Sequence, residues 1–536
     1  MNLDYLKKLA KYRRKLSSYP FVKWRYFLPQ AVLFSIVLSA LWMDSSQSRR
    51  FQLTKKSPNI TRASLSDSSR SLSPNFFCTN NNALRVDDWS NPDFIAGVNR
   101  LNASKIRFPG GTVANYWDWQ NGGLISAFRE GEADFFRSFS QGDRNYTDSK
   151  LADFAKALKL TDAKPVFVLN MSTSDLESQL EMLHRAKEIG LEIEHIELGN
   201  ELYINIRDNR DVFPQPQDYA EEARKWISAI EQDFPTAKIG LVGVVPTTSK
   251  PPRVRTWNQS LIPQTLAKAD AVVLHIYGNS GLGNEDTQLP TYPFFTPEDT
   301  KTILGQPFVE WQEVRSSPQF AVLPQDKQIW ITEYNLFENI FGQKNKGKQP
   351  KVAGSWSHGL YAITMSLLFL SDSRVEFICN HQLIGSFYFA SILAEPGNFV
   401  DPVTKLPLAQ PHTLSATGEA LSVFGDALEG MDRAVAIAFD NNYPAFGKNQ
   451  FEYPTLYGWM FANQKQKKSL ILNLSNQTKT IEISSLYEKT AYYKTIFGSS
   501  RDLITHSDSL EQTTGMSEGT VSLPPYSVTK ISNDRL

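Results

Sequence analysis

Two glutamates in this sequence stand where acid–base chemistry could be done. Glu201 follows the run IELGN and Glu333 lies in IWITEYN, each at the end of an apolar stretch of strand character. Two carboxylates that meet across one cleft supply a proton donor and a nucleophile or base, the pair that glycoside hydrolysis requires. Other strand-like runs end in further polar groups: Arg107 with Pro109-Gly110-Gly111, Asn200, His275 with Tyr277, and His381 with Gln382. A lone glutamate at a strand end is often only a rim residue. Two of them amid Asn, Tyr, His and Trp point to a site. Trp117 and Trp119 follow the Pro-Gly-Gly turn. Trp117 is the candidate platform for a sugar face, with Trp119 packed under the loop. Glu197 and Glu338 are set aside, the first because it lies inside a strand between Ile196 and Leu198, the second because it lies beyond a strand end.

Such residues need strands to carry them. Eight apolar runs qualify: 75–80, 104–110, 165–171, 193–199, 238–245, 271–278, 328–334 and 375–381. Amphipathic stretches such as LADFAKALKL and YAEEARKWISAI separate them, with apolar residues at three- and four-residue intervals. Eight strands, each followed by a helix or long loop, predict an α/β chain folded as a (β/α)8 TIM barrel, whose site sits at the C-terminal strand ends. An open doubly wound sheet would need a glycine-rich loop after the first strand, and none is present. After residue 415 short apolar runs and Asn/Ser/Gly turns predict an all-β sandwich. The expected domains are a barrel over 74–414 and a sandwich over 415–536.

Composition narrows the function classes. Of 536 residues, Lys+Arg and Asp+Glu number 56 each, a balance unlike the basic excess of nucleic-acid proteins. Two cysteines are too few for a cysteine zinc cluster. Charge is uneven at the start, where residues 1–25 hold eight Lys or Arg against Asp4. The charge-free run 26–43 would span about 27 Å as a helix, enough to cross a bilayer core. The basic flank predicts a cytoplasmic segment over 1–25, a transmembrane signal anchor over 26–43 and an exported remainder joined by a linker over 44–73. A cleavable signal peptide fits less well, because the basic region is long and no A-x-A site follows.

IELGNELY and IWITEYN resemble the acid/base and nucleophile segments of the retaining clan A glycoside hydrolases. IRFPGGTVANYWDW and HIYG resemble the strand-two and strand-six segments of the α-L-arabinofuranosidases and of the heparanase/β-glucuronidase group. SWSHGLYAITMSLLFL and SLPPYSVTKI resemble their seventh barrel helix and last sandwich strand, so the resemblance covers residues 75–532. It implies that Glu201 is general acid and then base, with a raised pKa, and that Glu333 is the nucleophile. It implies that Asn200 binds the hydroxyl beside the anomeric carbon, that Tyr277 hydrogen-bonds Glu333, and that Arg107 keeps Glu333 ionised. His275 would be an orienting partner or a core histidine. No metal or organic cofactor is implied, and the substrate would be a carbohydrate. One departure stands out: the eighth strand ends in NHQLIG, without the Trp of many clan A members. The sugar stays open among a β-linked uronic acid, an α-linked arabinose and other exopolysaccharide sugars. So does the choice between hydrolase, transglycosidase and a non-catalytic polysaccharide-binding protein. Cys78 and Cys379, on the first and last barrel strands, are expected as buried free thiols, since adjacent parallel strands often pair cysteines poorly.

Overall fold

The computed structural model describes residues 60–86, 88–125, 149–245, 251–261, 265–282, 293–338, 351–385, 390–394, 411–447, 450–503 and 510–535. The expected cytoplasmic segment (1–25), the expected membrane anchor (26–43) and the first part of the expected linker lie outside the described residues. Among the described residues no helix is long and apolar enough to cross a membrane.

After β1 (Ile60–Ser71), eight strands close into a barrel: β2 (Phe77–Asn80), β3 (Lys105–Phe108), β4 (Lys164–Leu169), β5 (His195–Leu198), β6 (Lys238–Val242), β7 (Ala271–Gly278), β8 (Gln328–Leu336) and β9 (Val375–His381). Neighbours are parallel, and β9 pairs back onto β2. All eight strands fall on the expected apolar runs. Helices cross between them, including Pro92–Leu101, Leu176–Glu188 and Trp356–Phe369, each started by a side-chain cap from Asn91, Asp175 or Ser355. Residues 416–428, expected in the sandwich, form a helix that follows β9 and completes the ring. Glu419 on it pairs with Arg100 of the first helix at 2.6 Å. The barrel therefore runs past 414.

β1 and the strands after residue 428 form a β domain with its own apolar core, including Ile437, Met460, Ile471, Ile481, Val521 and Ile531. Its nine-stranded sheet contains β1, which the sequence had suggested to be linker. Residues 60–62 pair parallel with 480–482, and the rest of β1 pairs antiparallel with 433–439 across a register shift. The strand ITRASLSDSSRS hides because its two large apolar residues, Ile60 and Leu65, are exposed and set no alternating pattern, and only Thr61 and Ala63 are buried. The helix Trp356–Phe369 is buried on every side because the β domain covers its outer face, with the Trp356 indole donating to the Tyr526 carbonyl at 2.6 Å.

Cys78 and Cys379 are register partners on β2 and β9 and form a disulfide. The expectation of free thiols is corrected. Both side chains point into the barrel, beside Val166, Val273, Trp330 and Phe377, so they approach directly. The bond ties the first barrel strand to the last across 301 residues of chain.

Candidate active site

Alternation along the strands delivers most of the site. On β3 Arg107 lies two residues beyond Lys105, on β5 Glu197 lies two beyond His195, and on β7 Tyr277 lies two beyond His275. Glu333 is different. Strict alternation from Trp330, which lines the barrel, would place Thr332 inside and Glu333 outside. The register of β8 slips against both β7 and β9 in this stretch. That bulge turns Thr332 and Glu333 inward together, a known means of re-aiming a side chain near a site.

Arg107 is fully buried and organises the mouth. Its guanidinium donates to Glu197 through Nε at 3.0 Å and Nη2 at 2.8 Å. It also donates to Glu333 Oε1 at 2.8 Å, Asn80 Oδ1 at 3.0 Å and Asn200 Oδ1 at 2.9 Å. Four strands, β2, β3, β5 and β8, are tied through one cation. Tyr277 donates its hydroxyl to Glu333 Oε2 at 2.5 Å. Gly111 is required at its place, because a Cβ there would lie 2.6 Å from Glu333 Oε1.

Glu201 stands opposite, more exposed than Glu333. His275 Nδ1 lies 3.0 Å from Glu201 Oε1 and 3.7 Å from Glu333 Oε2, and its Nε2 lies 3.2 Å from Thr332 Oγ1. His275 is thus a shared partner of both glutamates. Tyr203 donates to Glu201 Oε1 at 3.3 Å. Both backbone groups of Asn200 are held by the Asn115 side chain, at 3.2 and 2.9 Å. Asn200 Nδ2 is buried with no hydrogen-bond partner among the described residues, a donor left for a ligand.

Burial pushes the Glu333 carboxyl up, but His275, His381, Arg107 and the Tyr277 hydroxyl outweigh it and hold it at about 2. Those groups favour its carboxylate form. Burial lowers the His275 imidazole, while Glu333 and Glu201 more than reverse that and raise it. Tyr277 is driven well above its ordinary value by burial and by both glutamates, so it remains a donor.

Among the described residues, one ligand atom each from Glu201, His275 and Glu333 lie within 4.8 Å of one another. Those atoms could converge on a metal ion, but both Glu333 oxygens already accept from Arg107 and Tyr277, which an ion would have to displace. A sugar's anomeric centre between two carboxyls needs no such displacement.

The structure brings together Arg107, Asn200, Glu201, His275, Tyr277 and Glu333. It does not bring Trp117. That ring is buried against Phe108, its indole donating to the Gly122 carbonyl at 3.1 Å, so it packs the loop and offers no sugar platform. The correction reverses the expected pair, because Trp119 is the partly exposed one. Glu197, set aside above, is the second anchor of Arg107. Glu338 caps a loop, accepting from the backbone N–H of Lys351, Val352 and Ala353. Asn80, Asn115, Tyr203 and Thr332 were missed. Asn80 ends β2 and was findable as the first strand's polar terminus, whereas Thr332 depends on the bulge.

No family model matches the chain, and none of the curated proteins matches it. Solved structures do. A family 51 α-L-arabinofuranosidase from Bifidobacterium longum superposes with a TM-score of 0.65 at 14% identity, covering 89% of this chain and 99% of the other. The family 51 arabinofuranosidase from Xanthomonas axonopodis pv. citri gives 0.65 and 14%, over 88% and 99%. A 4-O-α-L-rhamnosyl-β-D-glucuronidase from Fusarium oxysporum 12S gives 0.54 and 13%, over 88% and 99%. The chain has the fold of the clan A glycoside hydrolases. At such identity the likeness speaks for the fold, barrel and β domain together, and the chemistry must be argued from the site.

Proposed function

We propose that the protein is a retaining glycoside hydrolase that acts on a polysaccharide or glycoconjugate outside the cytoplasm. The observation that carries this reading is the approach of Glu201 and Glu333, with one oxygen of each within 4.8 Å of the other. Retaining enzymes hold their carboxyls about 5–5.5 Å apart and inverting enzymes about 6.5–9.5 Å, to admit a water. Glu333, ionised and aimed by Arg107 and Tyr277, attacks the anomeric carbon and forms a glycosyl ester. Glu201 gives its proton to the departing oxygen, then takes one from the water that cleaves the ester. Asn200 Nδ2 binds the neighbouring hydroxyl. The arabinofuranosidase and glucuronidase likenesses support a carbohydrate substrate without choosing the sugar. The Cys78–Cys379 disulfide supports an oxidising compartment, in keeping with an exported domain behind an N-terminal anchor.

The test is turnover of aryl glycosides (β-glucuronide, α-L-arabinofuranoside, β-xyloside, β-glucoside, β-galactoside) by the protein from about residue 58 onward. Glu333→Gln should lower kcat by about 10⁴ or more, as loss of a nucleophile does. Equal turnover in that variant would reject the reading. Product distribution with added sugar acceptors separates hydrolysis from transglycosylation.

A further inference from the structure

Glu201 occupies an unusual backbone position. Its φ is 47°, in the left-handed region that a non-glycine residue rarely adopts, and the chain turns sharply just after it. The Ile204 N–H closes the turn onto the Glu201 carbonyl at 2.9 Å. Asn209 Nδ2 donates to the Glu201 and Ile204 carbonyls, each at 3.1 Å. The carbonyls of Leu202 and Tyr203 are met by one side chain, Arg253, from the far end of the loop after β6, which also reaches that of Ile204.

Arg253 is buried, and its guanidinium lies over the Trp257 ring at 5.0 Å. Nη2 donates to the Leu202 carbonyl at 2.6 Å, and Nη1 to those of Tyr203 at 2.6 Å and Ile204 at 3.3 Å. Nε and Nη2 reach the Phe213 carbonyl at 3.1 and 3.0 Å, which fastens the other end of the same excursion. These five contacts match the five N–H groups of a guanidinium, and every one goes to backbone. A charged donor buried among neutral carbonyls is costly to place unless its geometry serves something. What the turn presents to the mouth is Glu201 and, through the Tyr203 hydroxyl, a hydrogen bond onto Glu201 itself.

We propose that Arg253 is a positioning residue for Glu201, holding the turn that aims the acid/base carboxyl and the tyrosine that steadies it. The idea rests on the glycosidase reading above. It predicts a selective defect: proton donation matters for glycosides whose leaving group is a poor one and matters little for an activated leaving group. Arg253→Lys keeps the charge but has three donors on one nitrogen and cannot span four carbonyls.

The experiment compares wild type, Arg253→Lys and Glu201→Gln on aryl glycosides whose phenols range from strongly acidic to weakly acidic. Arg253→Lys should lose about 10–100-fold in kcat/KM on the poorest leaving group and less than about 3-fold on the best, following the pattern of Glu201→Gln. A uniform loss across the series, or no loss, would overturn the proposal. A crystal structure of the same variant gives a readout that needs no turnover. The turn 202–204 should shift and Tyr203 should leave Glu201, and an unchanged turn would overturn the proposal. Wild type that cleaves no glycoside would reject the glycosidase reading alone, and the crystallographic comparison would still decide the role of Arg253.

Discussion

Strands β3 and β5 each send two polar side chains into the barrel, one pair near the base and one at the mouth. At the base Lys105 meets His195, with Nζ 3.2 Å from both ring nitrogens, and lies 4.3 Å over the Phe377 ring. Glu376 sits nearby but is taken by Lys238, by the Trp330 indole at 2.7 Å and by His195 at 3.5 Å. At the mouth Arg107 has two carboxylates in contact, Glu197 and Glu333. The outcomes diverge. Burial drops Lys105 to about 8, with Glu194 and Glu376 too weak to reverse it. Burial acts on Arg107 too, yet Glu197 and Glu333 raise it above its ordinary value. A buried cation is stable as a charge only where anions are placed to meet it. In this barrel that placement occurs at the mouth, where an ionised Glu333 would be used, and is incomplete at the base.

The contrast can be broken from either end. The largest effect is expected for Arg107→Met, which leaves Glu197 buried without its cation. Chemical denaturation should show a loss of about 3–5 kcal/mol, as for other broken buried pairs. A loss below about 1 kcal/mol would mean that the mouth network is not cooperative. Tyr277→Phe comes next. Removing a donor to an ionised group is worth about 1.5–3 kcal/mol, so kcat/KM should fall about 10–100-fold. Because that hydroxyl helps to lower Glu333, the acid limb of the pH–rate profile should move to higher pH, and an unmoved limb would deny the contact.

The smallest effect has the opposite sign. Lys105 has a folded value of about 8 against an ordinary 10.5, so between these pH values the unfolded chain binds more protons than the folded one. Stability from this group therefore rises with pH through that window, and its penalty is full below pH 8. Lys105→Met should be more stable than wild type at pH 7 by on the order of 1–3 kcal/mol, with the gap closing towards pH 10.5. A pH-independent gap, or a destabilised variant, would show that the lysine is paired after all. Glycosidase kinetics should be unchanged.

Much of this was legible in the sequence because strands announce themselves by apolar runs and end in polar residues. Arg107, Asn200, Glu201, His275, Tyr277 and Glu333 all lie at such ends. What failed depended on pairings and bulges that no run of residues encodes. The inward turn of Glu333 rests on a bulge three residues before β8 ends at Leu336, and alternation alone would have faced it outward. Glu197 was dismissed because its partner lies 90 residues away in sequence. Trp117 sits beside the expected site but is turned under its loop by contacts to Phe108 and Gly122. β1 exposes its two large apolar residues and gains its place from strands hundreds of residues later. The disulfide depended on register, which brings Cys78 level with Cys379.

The most direct test of the account is the configuration of the first sugar released. With any glycoside the protein cleaves, proton NMR taken before mutarotation should show the product anomer with the substrate's configuration, as two displacements at one carbon require. The opposite anomer appearing first would contradict a nucleophilic Glu333 and the carboxyl pairing on which the reading rests.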